Sequence, residues 1–228
     1  MDKGKGLLVA LSGRARSGKD TFAEYLIDIL ESEYGRSFKV DAFAHKLKQM
    51  CLEHFNLSRE QLWGDDKEKV DLRYPYKLKI QQYPGSPFYE YDAGYKPMRY
   101  WTPREIMQEL GSFYRKIDRD FWVRKLDERW KYASYTDLVI TDVRHINECE
   151  YVKDNKGILI RVLRGDPQNI HNMEHESETA LDEFGDDYFD INIQNDGSLE
   201  DLQAVAKDTA KALLKLEQLK QNGGVYDG

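Results

Sequence analysis

Short unbroken apolar runs alternate with segments of helical spacing along this chain. Residues 6–12 (GLLVALS) predict a buried first strand. From residue 18 to 33, Phe22, Tyr25, Leu26, Ile29 and Leu30 recur three and four apart, which predicts a helix with one apolar face. A short strand is predicted over 37–42 and a second helix over 43–55. Thr102 then stands at an N-cap position with Pro103 at N1 and Glu105 at N3, so a helix is predicted to open there and run to about residue 116. Further helices are predicted over 120–132, 146–153, within 172–184 and over 199–219, with strands over 137–141, 157–163 and 189–193. Strands separated by helices predict an α/β fold built on a doubly wound parallel sheet.

Residues 58–101 break the pattern. They are rich in Tyr, Pro and Gly and carry no helical period, so a hairpin is predicted, with its turn within 83–91. Its tyrosines either pack on the core or another subunit, or stack on a nucleobase. The expected organisation is a single domain over 1–220 with an insertion or acceptor subdomain at about 58–101, a lid region at about 165–185 and a flexible tail at 221–228.

Composition narrows the class. A chain of 228 residues with 33% charged residues suits one enzyme-sized domain, and the formal net charge of −7 argues against a partner of nucleic-acid type. No apolar stretch has the length of a membrane span, and the first apolar run leads into a glycine loop rather than a cleavage site. A cytoplasmic location is therefore expected, with Cys51 and Cys149 as free thiols.

The chemistry is concentrated after the first strand. Gly13-Arg14-Ala15-Arg16-Ser17-Gly18-Lys19 fits G-x-x-x-x-G-K between a strand and a helix. Glycines let the loop turn its amides inward around phosphate, and the free amides of the following helix favour an anion. Lys19 is placed to neutralise the β and γ phosphates of ATP. Asp20 stands where the motif usually has Ser or Thr and is followed by Thr21. The aspartate could bind Mg²⁺ directly or through water, and Thr21 could hydrogen-bond a phosphate. A second carboxylate, Asp142, ends the apolar run DLVIT, where strand ends of such sheets face the ligand crevice. It is the second candidate for Mg²⁺, or for positioning the acceptor, with Arg144 two residues on to meet phosphate.

These residues, together with DAFAHKLK, TPREIMQELGSFYRKIDRDFWVRKL, VITDVRHINECE, ILIRVLR, HESE and FDINIQNDGSLEDL, resemble the phage deoxynucleoside monophosphate kinases. The block starting at Thr102 carries most of the resemblance, since a generic phosphate-loop protein has no need of it. Animal phosphomevalonate kinases are similar at several of the same points, and an acceptor-independent ATPase or nucleotide-gated binding module is the third alternative.

The resemblance implies a three-layer α/β/α kinase of the nucleoside monophosphate kinase type. It would use ATP and Mg²⁺ and take a deoxynucleoside monophosphate as acceptor, in host cytoplasm if phage-encoded, with homodimerisation left open. It maps Gly13, Ser17, Gly18, Lys19, Asp20 and Thr21 to ATP, and Asp41, Phe43, Ala44, Lys46 and Lys48 to the acceptor side. Arg104 and Gln108 lie four apart on one helix face and could reach the acceptor phosphate or base. His175, Ser177 and Glu178 fall where these kinases carry a lid. The segment after Arg164 holds no arginine up to that point, so charge stabilisation during transfer would come from Lys19 with Arg14, Arg16, Arg144 or Arg164, the last also a candidate for stacking on adenine.

Overall fold

The predicted strands separate into buried rows that share one sheet. The computed structural model describes residues 6–76, 99–165, 180–181 and 184–221. The expected hairpin turn at 83–91, most of the helix expected within 172–184, and the residues after 221 lie outside the described residues.

In chain order the elements are β1 (Leu8–Ser12), α1 (Lys19–Tyr34), β2 (Lys39–Asp41), α2 (His45–Phe55), α3 (Arg59–Trp63), β3 (Pro75–Tyr76), β4 (Arg99–Tyr100), α4 (Pro103–Ile117) and α5 (Phe121–Tyr132). They continue as β5 (Leu138–Val143), α6 (Ile146–Asp154), β6 (Ile158–Leu163), β7 (Ile191–Gln194) and α7 (Leu199–Gln221). The chain divides into two compact units, Met1–Lys46 with Arg115–Gly228, and Leu47–Tyr114. The second unit is drawn more widely than the insertion expected at 58–101.

The first unit contains a five-stranded sheet in the order β2-β5-β1-β6-β7, with every neighbouring pair parallel. Alternation along each strand assigns the faces. Val9, Leu11, Val139, Ile158, Ile160 and Val162 join Phe22, Leu26 and Leu30 of α1 and Leu202, Ala206, Ala210 and Leu213 of α7 in one core. Leu8, Ala10, Leu138, Ile140 and Leu159 join Val123, Leu126 and Trp130 of α5 and Cys149 and Val152 of α6 in the other. Two apolar layers on opposite faces of one sheet make the three-layer α/β/α fold. Trp122 is buried, and Cys51 and Cys149 are buried and free, the free thiols expected of them.

Because all five strands run the same way, β1, β2, β5, β6 and β7 deliver their following loops to one edge of the sheet. That edge receives residues 13–18, 42–44, 144–145, 164–165 and 195–197. A cross-tie lies at the opposite end: the Arg36 guanidinium donates to Asp137 at 2.6 and 2.9 Å and also pairs with Glu217, while Asp137 accepts the Leu7 amide at 2.7 Å.

The second unit corrects one expectation. Residues 58–101 were expected to hold no helix, yet they include α3 and a 3₁₀ turn at Asp65–Glu68. Ser58 and Gln61 close a capping box, Gln61 N–H to Ser58 Oγ at 3.1 Å and Ser58 N–H to Gln61 Oε1 at 2.8 Å. A helix of five residues is little more than one turn, so its apolar spacing cannot establish a 3.6-residue period. The strands β3 and β4 pair antiparallel. The capping of α4 follows the sequence expectation: Thr102 N–H donates to Glu105 Oε2 at 2.9 Å and Glu105 N–H to Thr102 Oγ1 at 3.2 Å.

Candidate active site

The phosphate loop leaves β1 after Ser12 and enters α1 at Lys19. Arg16 and Gly18 both adopt positive φ, 64° and 86°, so the loop doubles back on itself, and Ser17 N–H closes onto Arg14 O at 3.2 Å. At Gly13 an added Cβ would stand 2.6 Å from Val162 O and 2.7 Å from Ser17 Oγ, so the turn closes only around a bare Cα. The first helical hydrogen bond runs from Phe22 N–H to Gly18 O, which leaves the amides of Lys19, Asp20 and Thr21 with no acceptor inside the helix.

Ser17 Oγ is buried and has no hydrogen-bond partner, alone in that respect among the described side chains. An unpaired buried hydroxyl costs about 1–3 kcal/mol. Its cost is recovered if a polar ligand occupies the loop. Lys19 is buried along its stem and its Nζ lies 3.2 Å from the largely exposed Asp20 carboxylate. Arg14 and Arg16 of the loop are exposed.

The second carboxylate is placed by a bulge. Ala10 pairs with Ile140 but Ser12 pairs with Val143, so β5 carries one residue more than β1 at Thr141-Asp142. Val143 therefore continues the apolar face of Leu138 and Ile140, and Asp142 is released from it. The sequence places Asp142 after the strand; in the structure it lies inside β5. Its Oδ1 accepts the Phe43 amide at 2.7 Å and its Oδ2 the Ala44 amide at 2.9 Å. Asp142 thus fixes the turn that starts α2.

Asp41, mapped to the acceptor side, lies in a cluster of donors. Arg129 donates to it at 2.7 and 3.1 Å and to Ala42 O at 2.9 Å, the Ala42 amide donates at 2.8 Å, and His45 Nδ1 lies 3.0 Å away. Phe43 is buried against the α5–α6 core. Arg129 is 88 residues from Asp41, and no local sequence signal links them. Arg164 is exposed at the end of β6. In the other unit, Lys48 Nζ lies 5.1 Å from the Trp63 ring centroid, Arg104 pairs with Glu68, and Gln108 is half-buried. His175, Ser177 and Glu178 are outside the described residues.

Glu148 belongs beside Arg144 although the sequence reading passed over it. Its Oε2 accepts the amides of Arg144 at 2.7 Å and His145 at 3.1 Å, closing a capping box with His145 at the start of α6. The H-x-x-E spacing of His145 and Glu148 was the available signal. Burial, reinforced by the Asp142 charge, pushes the Glu148 carboxyl up to about 8. A carboxyl raised in this way binds a proton in the folded state that the unfolded chain has lost. Stability should therefore fall as pH rises from about 4.5 to about 8, at up to roughly 1.4 kcal/mol per pH unit. In Glu148→Gln, melting followed by circular dichroism without nucleotide or divalent ion should lose that decline. An unchanged slope would contradict a buried, proton-binding Glu148.

Residues 87–205 match the model of the deoxynucleotide monophosphate kinase family, just over half of the chain. A protein of Acanthamoeba polyphaga mimivirus, provisionally given the same kinase name, is 30% identical over 217 residues, covering 86% of this chain and 91% of its own length. The chain belongs to the deoxynucleotide monophosphate kinase family. The family's phage T4 member is 33% identical over 118 residues, half of this chain and 47% of its own. The member from Escherichia phage RB69 is 26% identical over 238 residues, covering 86% and 96%. The family match begins beyond the phosphate loop, so residues 13–21 and the matched segment are independent observations that agree. None of the helices among the described residues is long and apolar enough to cross a membrane.

Proposed function

We propose that this protein transfers the γ-phosphoryl group of ATP to a deoxynucleoside monophosphate, giving the diphosphate and ADP. One observation supports it most directly. A kinase of this family carries a phosphate loop whose only unpartnered buried side-chain atom among the described residues, Ser17 Oγ, lies inside the turn.

The acceptor is a phosphate oxygen, ionised at neutral pH, so no strong general base is required. That oxygen forms the new bond to the γ-phosphorus as the bond to the β–γ bridging oxygen breaks, and ADP leaves with the electron pair. The work of the chain is then position and charge. Lys19 is the cation proposed for the β and γ phosphates, and Arg14, Arg16, Arg144 and Arg164 are the further cations for the transferring group. The start of α1 supplies amides. Asp142 holds residues 43–44 at the head of α2, on the acceptor side. Lys48, Arg104 and Gln108 belong to the second unit and are proposed for the acceptor, as are His175, Ser177 and Glu178.

Among the described residues no group of three His, Cys, Asp or Glu side chains could hold a metal alone. Mg²⁺ bound with a nucleotide needs only one or two carboxylates besides the phosphates and water. Asp20, exposed at the loop, fits that role, and Asp142 retains a lone pair on each oxygen for a metal-bound water. Such an ion would neutralise charge on the β and γ phosphates. The partner in this reading is a small nucleotide, in keeping with the net charge of −7.

The test is a coupled ADP-release assay with MgATP against each deoxynucleoside monophosphate, the ribose counterparts and phosphomevalonate. Stimulation by one or more deoxynucleotides is expected. Stimulation by phosphomevalonate alone, or turnover indifferent to any acceptor, would overturn the proposal.

A further inference from the structure

The phosphate loop is held from outside its own motif. Asn195, just past β7, donates from Nδ2 to Ser17 O at 2.8 Å, with both residues buried. Its own amide donates to Leu163 O at 2.7 Å, which anchors it to the end of β6. The next residue, Asp196, accepts the Gly165 amide and Gln194 Nε2, the latter at 2.7 Å. Residues 194–196 therefore fix the phosphate loop on one side and the exit of β6, where Arg164 stands, on the other.

The consequence follows from the planarity of the peptide. In a trans peptide the C=O of one residue and the N–H of the next point in opposite directions, and no cis peptide occurs among the described residues. Drawing Ser17 C=O toward Asn195 turns the Gly18 N–H away from Asn195. A Cβ at Gly18 would lie 2.2 Å from Asn195 Nδ2, and Gly18 sits at φ 86°. The contact therefore requires glycine there for two separate reasons, its backbone angle and the room its bare Cα leaves. A neighbour that crowds this closely against the loop peptide determines its orientation as well as its position.

We propose that Asn195 is a positioning residue for ATP: it locks the Ser17–Gly18 peptide so that the Gly18 amide is presented to a nucleotide phosphate. This rests on the kinase reading above. It assigns to the segment after β7 a role in nucleotide affinity that neither the phosphate-loop motif nor the family match states.

The test measures equilibrium binding of ATP and separate KM values for ATP and the deoxynucleotide acceptor, in wild type, Asn195→Ala and Asn195→Asp, with folding checked by circular dichroism. Asn195→Ala is expected to weaken ATP by about tenfold, the size of one lost buried hydrogen bond, while the acceptor KM stays within about twofold. In Asn195→Asp an ionised carboxylate faces Ser17 O and repels it, whereas the protonated acid can donate to it. ATP affinity in that variant should recover as pH falls, with no matching recovery in Asn195→Ala. If Asn195→Ala does not fold, Asn195→Asp across pH carries the comparison. Wild-type ATP affinity in a folded Asn195→Ala whose melting temperature has dropped would overturn the inference and leave Asn195 a structural tie. So would equal rises in both KM values, or an Asn195→Asp affinity that ignores pH. Wild-type protein that fails to bind ATP would instead remove the kinase reading itself.

Discussion

Lys19→Met should abolish phosphoryl transfer, lowering kcat by about 10³-fold or more, while leaving the fold intact. The lysine stem is buried at the start of α1, and methionine fills the same space with an unbranched apolar chain. The described partner of its ammonium is the Asp20 carboxylate, which is 74% exposed and stays hydrated when the ammonium is removed, so no buried charge is left unpaired. What disappears is a cation fixed beside the loop, where charge accumulates on the transferring phosphoryl group. The ADP-release assay together with a melting curve checks both halves. A folded variant that still turns over would remove Lys19 from the machinery.

Asp142→Asn should be the second most damaging change, and its pattern is informative. Both carboxylate oxygens accept backbone amides, from Phe43 and Ala44. An asparagine can accept only one of these and presents its NH₂ to the other. Leaving one amide unsatisfied costs about 1–3 kcal/mol, and the turn that begins α2 is displaced. The expected result is a fall of about 10²-fold in kcat/KM for the acceptor, with ATP binding measured alone within about twofold of wild type. Raising Mg²⁺ should not restore the activity, because the defect lies in the position of residues 43–44. Full rescue by Mg²⁺ would show that Asp142 acts through the ion and not through the turn.

The elements were legible wherever the apolar spacing was long enough to define a period. The strand β1 is apolar up to Ser12, β5 up to Thr141 and β6 but for Arg161, and α1, α4 and α7 span enough residues for a helical stripe to repeat. The capping box at Thr102 was readable because Pro103 and Glu105 stand at fixed offsets from it. The five-residue α3 was missed because one turn has no period, although Ser58 and Gln61 marked its start. The bulge at Thr141-Asp142 left no trace in composition, since it is defined only by the pairing of β5 with β1.

The site divides in the same way. Gly13, Gly18 and Lys19 could be found from the chain alone, because a phosphate loop is a local object: its turns, amides and lysine all lie within nine residues. The chemistry of Asp41 could not. The family resemblance maps it to the acceptor side, and only the tertiary structure brings Arg129, 88 residues away, onto its carboxylate.

By itself, then, the sequence determined the alternation of strands and helices, the phosphate loop and the kind of reaction such a loop serves, because each of these depends on neighbours in the chain. Tertiary structure alone decided how the carboxylates are used. Glu148 is raised by burial beside Asp142, each oxygen of Asp142 accepts a backbone amide, and the Asn195 amide side chain reaches Ser17 across 178 residues. Hydrogen bonds and desolvation act over a few ångströms in space, and the packing of a parallel sheet, not distance along the chain, brings these groups that close.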